Sequence, residues 1–525
     1  MLITEILKQN AEKYGEKPAL VAVEPAMQAV GEKSPYESRR REISWRTFNE
    51  QANQTANYYI GLGIGKGNRV GILLKNSIDW LPVYFGILKS GAVAIPLNYS
   101  YSAEQIAATI RHADIDALVF GEKSSASVEA ALAELPQLRS LVFVGEAHLC
   151  PSFSSCMSAT FAKSPQSEPV CELSAQDDAA IYFSSGTTGT PKAVVYTHGT
   201  LEAACIREQS IHHQTHSDIF VCIPPLYHVG AKLHWMGNLL MGAKGVLLLG
   251  FHLSSFFELM EKEAVTIAFL LLPWIQDILQ ALESGTLSLG DYDLTRWRML
   301  HMGAQPIPPS VVDRLKKQFP ALEYGISYGL TESGGPGCLN LSHEDIGKRG
   351  SIGRPVAGWS ARLIDASGNP VEQGAAGELL LKGPGMMRCY YKNEAGTQAA
   401  LAGGWLHTGD IAKQDAAGYY YLIDRKKDII ISGGENIYPS RLENCLRAID
   451  GVLDAAVFGL PHERLGEVVA AVITLNPDSS LTEHDLFEHC RTFPKYEQPV
   501  KLFLGDVPRN PTGKIDKVAL RKTYL

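Results

Sequence analysis

The sequence predicts an α/β protein, with a large N-terminal domain of layered α/β sheets that includes a β-rich subdomain, followed by a small α+β C-terminal domain. Helical and strand patterns alternate over the first 120 residues, short strands replace them after about residue 350, and a further βαβ pattern follows residue 424. With 525 residues, of which 45% are hydrophobic and 20% charged, the chain can bury more than one core.

The alternation of helices and strands begins at Ser44. This residue is suited to cap a helix whose apolar residues recur at helical spacing up to a glycine-rich stretch at Gly61. The pattern then predicts strand, helix, strand, helix and strand over residues 69–75, 80–89, 92–96, 103–112 and 117–120. We interpret the glycine-rich stretch as a turn, because it follows a helix and precedes a strand, the reverse of a dinucleotide-binding loop.

The second half of the chain divides differently. Short strands between Gly, Asp and Asn residues predict a β-rich subdomain at about 350–424. A dense run of charges then precedes a compact segment of about a hundred residues with its own strands and helices. We therefore expect a boundary at Asp424, with one domain over 1–424 and a second over 425–525.

Composition argues against several classes of protein, namely nucleic-acid-binding, membrane-bound and exported proteins. A net charge of −8 and a pI near 6.0 argue against a general nucleic-acid or anionic-membrane surface. We interpret the basic residues 39–41 as a solvated loop, with a functional patch as the alternative. Nine scattered cysteines without a CxxC pair, and a first segment without an export signal, favour a cytoplasmic protein. The longest apolar runs, from Gly245 and Thr266, are shorter than the ~20 residues of a membrane-spanning helix, so we expect no integral membrane segment.

The most informative stretch, residues 182–198, predicts a phosphate-binding turn between two strands. Its small and hydroxyl-bearing residues are Ser184, Ser185, Gly186, Thr187, Thr188 and Gly189. Backbone N–H groups and hydroxyls of such residues can approach an oxyanion closely, and Lys192 adds a positive charge. The pattern GxxxxGK[ST] is absent and a strand follows, so this is not a Walker loop. By itself the stretch is also compatible with a Ser/Thr-rich hairpin turn.

Four further blocks accompany SSGTTGTPK in a fixed order: YGLTES, GWLHTGD, DRKKDIIISGGENIYPSRLE and PRNPTGK, at 328–333, 404–410, 424–443 and 508–514. Over nearly its whole length the chain thereby resembles the adenylate-forming superfamily, which includes acyl-CoA synthetases, luciferases and the adenylation domains of peptide synthetases. The resemblance implies that the small α+β C-terminal domain is mobile.

The block YGLTES supplies candidate nucleotide contacts. Tyr328 offers an aromatic face for adenine, Thr331 can donate to a phosphate, and Glu332 can coordinate Mg²⁺. The resemblance implies these three roles and adds nucleotide-binding positions at Gly329, Gly303, Ala304 and Gln305, the last three lining the adenine and acyl pockets. The residues alone leave open that Glu332 is a structural acid that caps a turn.

Residues near the expected domain boundary are the next candidates. The acceptor-only carboxylate of Asp410 is suited to the two ribose hydroxyls, and the resemblance implies that role. It also implies that Arg425 contacts the nucleotide and that Lys427 is the hinge of the rotating domain. A Gly-Asp turn and a solvated charge run are the alternatives that the residues alone leave open.

Two residues are candidates for chemistry at the acid itself. The resemblance implies that Lys514 bridges the carboxylate and phosphate oxygens, where it offsets the repulsion of two anions. It places His228, in PPLYHVG, beside the substrate carboxylate, and it counts Thr187 and Glu332 among the catalytic residues. Without the resemblance, Lys514 is compatible with a solvated lysine near the C-terminus, and His228 is compatible with a structural histidine. The histidines 212, 213, 216 and 234 lack the spacing of a closed metal site.

The acceptor of the acyl group is expected to be coenzyme A. Gly433 and Gly434 lie in a GGEN segment that resembles the acyl-CoA ligase version, which lines the pantetheine tunnel. We therefore expect an ATP-dependent acid–thiol ligase that uses ATP, Mg²⁺, coenzyme A and a small-molecule carboxylic acid, and that is compatible with a homodimer. A carrier-protein ligase and a non-catalytic nucleotide-binding relative remain alternatives. Gly334 and Gly335 suggest room for an acid larger than acetate.

Overall fold

The structure is a computed structural model that describes residues 1–26, 35–184, 192–341, 348–509 and 515–524, without the side chains of residues 232–234 and 518. Within this part of the chain, contacts divide the protein into two compact units. The first unit comprises Met1–Ser360 and Leu381–Leu406, and the second comprises Ala361–Leu380 and His407–Leu525.

The helices, taken in chain order over the described ranges, are α1 (Ile3–Tyr14), α2 (Tyr36–Arg39), α3 (Trp45–Gly61), α4 (Trp80–Lys89), α5 (Ala103–His112), α6 (Ser125–Ala131), α7 (His198–His212), α8 (Val229–Met241), α9 (Leu253–Lys262), α10 (Leu272–Glu283), α11 (Pro309–Gln318), α12 (Glu394–Ala400), α13 (Pro439–Arg447), α14 (Glu483–Cys490) and α15 (Lys517–Tyr524).

The first sheet belongs to the first unit and has nine strands among the described residues. They are β1 (Pro18–Val23), β2 (Arg40–Ser44), β10 (Phe220–Cys222), β11 (Gly245–Leu248), β12 (Ile267–Leu270), β13 (Met299–Met302), β14 (Glu323–Leu330), β15 (Gly335–Leu341) and β16 (Arg354–Pro355). Their spatial order is β16-β15-β14-β13-β12-β10-β11-β1-β2, and the run from β14 to β1 is parallel. Parallel strands end at a common edge, where ligands bind in such sheets.

The second sheet, also in the first unit, has eight described strands in the order β19-β9-β8-β4-β3-β5-β6-β7. They are β3 (Arg69–Leu73), β4 (Val93–Pro96), β5 (Ala117–Gly121), β6 (Ser140–Val144), β7 (Ser155–Cys156), β8 (Asp178–Ser184), β9 (Lys192–Thr197) and β19 (Cys389–Tyr390). Strands β8 and β9 form an antiparallel hairpin, and β19 joins its outer edge. The two strands of this hairpin flank the phosphate-binding turn that the sequence predicts, which we call the phosphate cradle.

The first unit is built in layers. Helices α9, α10 and α11 share an apolar core with the outer face of the first sheet, and α5 and α6 share another with the second sheet. Helices α3, α4, α7 and α8 lie between the sheets, where Phe48, Phe85 and Trp235 join their rings in one cluster. Tyr84 of α4 and Tyr182 of β8 share a hydrogen bond of 2.8 Å, which ties this middle layer to the second sheet.

The second unit contains two further sheets. A four-stranded sheet has the order β17-β18-β20-β21, and a five-stranded sheet has the order β23-β22-β25-β24 with β26 paired to β25, both counted over described residues. Their strands are β17 (Ser360–Ile364), β18 (Gly377–Lys382), β20 (Leu406–Gln414), β21 (Tyr420–Arg425), β22 (Ile430–Ser432), β23 (Glu435–Ile437), β24 (Val452–His462), β25 (Gly466–Leu475) and β26 (Lys501–Leu504). The β-rich segments therefore belong to the same compact unit as the C-terminal residues. The domain boundary at Asp424 stays a prediction.

The α/β class that the sequence predicts is confirmed. Helix α3 begins after Ser44, whose Oγ accepts from the backbone N–H of Thr47 at 3.1 Å, and it ends at Gly61 as expected. The apolar run from Gly245 is strand β11, while the run from Thr266 contains β12 and the start of α10. No helix in the described ranges is both long enough and apolar enough to cross a membrane.

The interpretation of residues 39–41 as a solvated loop is wrong, because these residues belong to α2 and β2, although Arg41 is exposed as expected. Arg39 ends α2 and is buried, with its Nη2 2.6 Å from Glu258 Oε2. Arg40 begins β2, and its Nε lies 2.6 Å from Glu263 Oε1. Both acids come from α9 or the residue after it, more than two hundred positions away, so no local pattern around Arg39 and Arg40 indicates these ion pairs.

Candidate active site

The predicted phosphate cradle lies in the hairpin of β8 and β9. Ser184, the last residue of β8, is the register partner of Lys192, the first residue of β9, so the two strands that the sequence predicts on either side of the stretch are confirmed. The turn itself lies outside the described residues. Binding of phosphate by Ser185, Gly186, Thr187, Thr188 and Gly189 therefore stays a prediction.

Three residues from separate parts of the sequence meet beside this hairpin. Lys192 Nζ lies over the ring of Tyr390, 4.7 Å from its centroid. The hydroxyl of Tyr390 donates to Glu332 Oε1 at 2.7 Å. Burial, reinforced by the Glu332 carboxylate, raises the pKa of the Tyr390 phenol, so the hydroxyl remains a donor. The first unit thus joins the cradle lysine to the acid of YGLTES through an aromatic ring that the sequence analysis missed.

The backbone of the YGLTES turn is held from two sides. The N–H of Met387 donates to the carbonyl of Glu332 at 2.8 Å, and the buried hydroxyl of Tyr196 donates to the carbonyl of Thr331. Ser333 Oγ accepts from the N–H of Leu330 at 2.8 Å and closes the turn. The side chains of Thr331 and Glu332 remain partly exposed, so both can reach a ligand while their backbone is fixed.

Arg207 of α7 is a second residue that the sequence analysis missed. Its guanidinium is buried over the ring of Trp359, 5.0 Å from the centroid. It donates to the carbonyls of Ser333, Gly334 and Pro384, which lie on the two segments that lead to Glu332 and Tyr390. A buried cation that binds several carbonyls fixes both segments at once.

The geometry at Gly334 and Gly335 corrects the expectation that these residues open the acyl pocket. A Cβ on Gly334 would lie 2.3 Å from the carbonyl oxygen of Gly385, and one on Gly335 would lie 2.7 Å from Arg207 Nη2. Both residues also have positive φ, 63° and 116°. They are glycines because backbone and Arg207 occupy the adjacent space.

The predicted adenine and acyl strip follows strand β13, next to β14. A Cβ on Gly303 would lie 2.8 Å from Ser327 Oγ, so only glycine fits there. Ala304 is exposed and has a φ of 66°, an uncommon conformation for a residue with a side chain, and Gln305 is partly exposed. Tyr328 is buried on β14, and a Cβ on Gly329 would lie 2.2 Å from the carbonyl oxygen of Gly335.

His228 lies immediately before α8 and is partly exposed. Its ring packs against Tyr227, with 4.2 Å between centroids, and Tyr227 in turn packs against Tyr99. The buried side chain of Asn76 accepts from the N–H of Leu226 at 2.8 Å and thereby fixes the turn. The structure brings the histidine to the start of a helix, and its role beside a carboxylate stays a prediction.

In the second unit, Asp410 and Arg425 face each other across strands β20 and β21. They are register partners, and Arg425 Nε lies 3.5 Å from Asp410 Oδ1. Asp410 is buried, and the Arg425 side chain is 39% exposed. Asp410 and Arg425 are fifteen positions apart in sequence but adjacent in the structure, and a nucleotide that contacts both residues would require this.

The remaining predicted residues of the second unit follow strand β21 in the sequence. Lys427 is exposed in a short turn after β21, and Asp424 before it accepts from the N–H of Ser440 at 2.7 Å. Gly433 and Gly434, with φ of 61° and 90°, form the two-residue turn between β22 and β23. Such a turn requires positive φ at both positions. Lys514 lies outside the described residues.

The residues present fit a magnesium ion better than a protein-built metal centre. No group of three His, Cys, Asp or Glu side chains is placed to hold a metal within the part of the chain that the structure describes. Glu332 instead offers a single carboxylate, oriented by Tyr390. Mg²⁺ commonly binds one or two carboxylates and takes its other ligands from substrate phosphates and water.

Comparisons with known proteins agree with this geometry. The family described as AMP-binding enzyme matches residues 7–391, and the AMP-binding enzyme C-terminal domain matches residues 441–514. A long-chain-fatty-acid–CoA ligase of Mycobacterium tuberculosis is 31% identical over 92% of this chain and 93% of its own length. A 2-succinylbenzoate–CoA ligase of Bacillus mycoides is 28% identical over 94% of this chain and 96% of its own.

A solved structure extends the comparison to three dimensions. The fatty acyl CoA synthetase of Mycobacterium tuberculosis has a TM-score of 0.78 and 28% identity, and the alignment covers 100% of this chain and 98% of that one. Family models therefore match most of both predicted domains, and a relative above 30% identity spans nearly the whole chain. The chain belongs to the AMP-binding enzymes of the adenylate-forming superfamily.

Proposed function

We propose that this protein is an ATP-dependent acyl-CoA synthetase. It activates a carboxylic acid as an acyl-adenylate with release of pyrophosphate, and it then transfers the acyl group to coenzyme A with release of AMP. The observation that carries the proposal is the contact of Lys192, Tyr390 and Glu332, which unites two nucleotide-binding motifs in one place. Relatives named as CoA ligases, aligned over more than nine-tenths of the chain, support coenzyme A as the acceptor.

In the first half-reaction, a carboxylate oxygen of the acid attacks the α-phosphorus of ATP and the bond to pyrophosphate breaks. Lys192 and the hydroxyl-rich turn hold the phosphates, and Thr331 donates to one of their oxygens. Glu332 is the residue that would hold Mg²⁺, which neutralises charge on the phosphates when bound. Lys514 bridges the two anions as they approach, and it stabilises charge that is largest in the transition state.

Other residues orient the substrates. Tyr328 and the strip of Gly303, Ala304 and Gln305 accommodate adenine and the acyl group, with Gly329 allowing close backbone approach. Asp410 accepts hydrogen bonds from the ribose hydroxyls, and Arg425 contacts the nucleotide beside it. His228 lies by the acid. We propose these roles because each residue matches the corresponding motif of the family and has the necessary chemistry.

In the second half-reaction, the thiol of coenzyme A loses its proton to solvent and its sulfur attacks the acyl carbon. The bond between the acyl carbon and the oxygen of AMP breaks. Gly433 and Gly434 line the path of the pantetheine arm, and Lys427 is the hinge at which the C-terminal domain turns between the half-reactions. Rotation there would break the hydrogen bond between Asp424 and Ser440, which joins the two sides of the hinge.

The experiment is a screen of acids of two to sixteen carbons, with benzoate and other cyclic acids, for acid-dependent exchange of labelled pyrophosphate into ATP. Positive acids are then tested for a thioester on addition of coenzyme A. Exchange without a thioester would favour a carrier-protein ligase, and no exchange with any acid would favour a non-catalytic relative. A thioester that forms only with ATP, acid and coenzyme A together is the expected result.

The proposal also includes the location of the protein in the cell and its oligomeric state. A cytoplasmic location is supported by nine cysteines that are all free, as is typical of a reducing compartment. A homodimer is compatible with the chain, and light scattering of the purified protein tests it.

A further inference from the structure

The buried side chain of Asn76 connects the two sheets of the first unit. Asn76 follows β3 of the second sheet, and the turn formed by residues 223–228 follows β10 of the first sheet. Both strands pair in parallel with their neighbours on either side. Ligands bind at the carboxyl ends of such strands, so Asn76 joins two edges at which ligands are expected.

Three hydrogen bonds run between the Asn76 side chain and the 223–228 turn. Its Nδ2 donates to the carbonyl of Pro224 at 3.0 Å and to that of Ile223 at the longer distance of 3.4 Å. Its Oδ1 accepts from the backbone N–H of Leu226 at 2.8 Å. A carbonyl only accepts and a backbone N–H only donates, so these partners fix the orientation of the amide. Over the described ranges, the side-chain hydrogen bonds of Asn76 all go to this turn.

Two prolines explain why this turn takes a partner from another segment. Pro224 and Pro225 have no N–H group, so the hydrogen-bond ladder of β10 cannot continue through them. The Cys222 thiol is a further donor to the Pro224 carbonyl, at 3.8 Å, but thiols donate weakly. The N–H of His228 donates to the carbonyl of Pro225 at 3.0 Å and closes the turn. Asn76 thus supplies the strong donor that a neighbouring strand would otherwise provide.

The turn presents two partly exposed rings, those of Tyr227 and His228. Tyr99, which follows β4 of the second sheet, packs against the other side of Tyr227, with 5.7 Å between ring centroids. The neighbouring Leu226 is fully buried, so the turn cannot shift without disturbing the packing beneath it. The position of His228 therefore depends on contacts that come from the second sheet, and Asn76 makes the polar ones.

Resting on the proposed function, we infer that Asn76 is a positioning residue for the acid substrate. It holds the 223–228 turn so that His228 lies beside the carboxylate, and it acts only through that turn. The segments proposed to bind the nucleotide, on β9, β14 and β20, receive no side-chain hydrogen bond from Asn76 within the described part of the chain. Loss of the amide should therefore weaken use of the acid and spare use of ATP.

The expected size of the effect follows from the contact that His228 makes. A hydrogen bond to an ionised carboxylate changes an affinity by about tenfold or more. Asn76→Ala should therefore raise the KM for the acid about tenfold, with the KM for MgATP unchanged within about twofold. Asn76→Ser keeps one donor and should raise the KM for the acid by a smaller factor. A KM does not depend on how much enzyme is active, so partial loss of folded protein does not produce this difference between substrates.

The test measures initial rates of pyrophosphate release at varied acid and varied MgATP, with an acid that the wild-type enzyme activates. Gln54→Ala is the matched control. Gln54, like Asn76, is 8% exposed, and its amide donates to the carbonyls of Ala162 and Ser164 at 2.9 and 3.3 Å. Both alanine variants should lose thermal stability, but only Asn76→Ala should raise the KM for the acid.

A double-mutant cycle with His228→Ala tests whether Asn76 acts through this histidine. Residues that act through one interaction have non-additive effects. His228→Ala alone should raise the KM for the acid at least as much as Asn76→Ala does. In the His228→Ala background, Asn76→Ala should then change that KM by less than about twofold.

Four results would overturn the inference: an unchanged KM for the acid in both Asn76 variants, an equal rise in the KM for MgATP, a rise that Gln54→Ala shares, or effects of Asn76→Ala and His228→Ala that multiply. Asn76→Ser supplies the result where Asn76→Ala does not fold. Failure of the proposed function has a different signature, because the wild-type protein then releases pyrophosphate with no acid at all.

Discussion

Replacing Tyr390 with phenylalanine removes one hydroxyl and leaves the ring below Lys192 in place. That hydroxyl donates to Glu332 Oε1 at 2.7 Å, and the phenol stays protonated because burial and the carboxylate raise its pKa. A hydrogen bond to an ionised group contributes about 1.5–3 kcal/mol. If it orients Glu332 for MgATP, its loss should raise the KM for MgATP by about tenfold or more.

The assay is acid-dependent pyrophosphate exchange at varied MgATP, with free Mg²⁺ varied separately. Tyr391→Phe is the matched control, because the Tyr391 hydroxyl donates to Asp114 Oδ2 at the same distance of 2.7 Å. Each variant removes one phenol–carboxylate hydrogen bond, so thermal denaturation should show similar losses of stability. Only Tyr390→Phe should raise the KM for MgATP and the Mg²⁺ concentration needed for half-maximal rate.

Equal KM values for MgATP in the two variants would show that the hydrogen bond from Tyr390 to Glu332 does not contribute to MgATP binding. In that case the contact between Tyr390 and Glu332 would stabilise the first unit without serving the nucleotide. A double-mutant cycle with Glu332→Gln adds a second criterion, since the two substitutions should be strongly non-additive if they act on one interaction.

Three further predictions concern other parts of the protein. Lys514→Ala should abolish adenylate formation and spare thioester formation from supplied acyl-AMP, and equal loss of both half-reactions would contradict its role. Lys427→Pro should slow thioester formation and spare adenylation, because proline fixes φ at the hinge, and unchanged transfer kinetics would remove Lys427 from that role. Arg207→Met should leave buried carbonyls unsatisfied, at a cost of about 1–3 kcal/mol each, and should raise the KM for MgATP, whereas Arg314→Met, at an exposed ion pair with Glu283, should do neither.

Local patterns in the sequence predicted much of the fold. Helices α4 and α5 have the bounds expected from periodicity, and β3 and β5 differ from expectation by one or two residues. The family assignment is confirmed as well, because it rests on motifs that are contiguous in sequence. In these segments, spacing, caps and glycine positions are local properties that can be read without knowledge of tertiary contacts.

What the sequence did not predict depends on pairing between distant segments. Tyr390 belongs to no motif, and it reaches Glu332 only because β19 pairs with β9 almost two hundred residues away. The sequence around Arg207 has no motif, and its contacts arise only because α7 lies between the two sheets. The sequence predicts open space at Gly334 and Gly335, whereas the Gly385 carbonyl and Arg207 fill it. These features required the tertiary structure.

In the proposed reaction, the acid attacks the α-phosphorus of ATP before its acyl group reaches coenzyme A. An acid labelled with oxygen-18 in its carboxylate tests this directly, with mass spectrometry of the products of complete turnover. We expect one labelled oxygen in the phosphate of AMP for each acyl-CoA formed. Label in inorganic phosphate accompanied by ADP, or AMP without label, would rule out an acyl-adenylate intermediate.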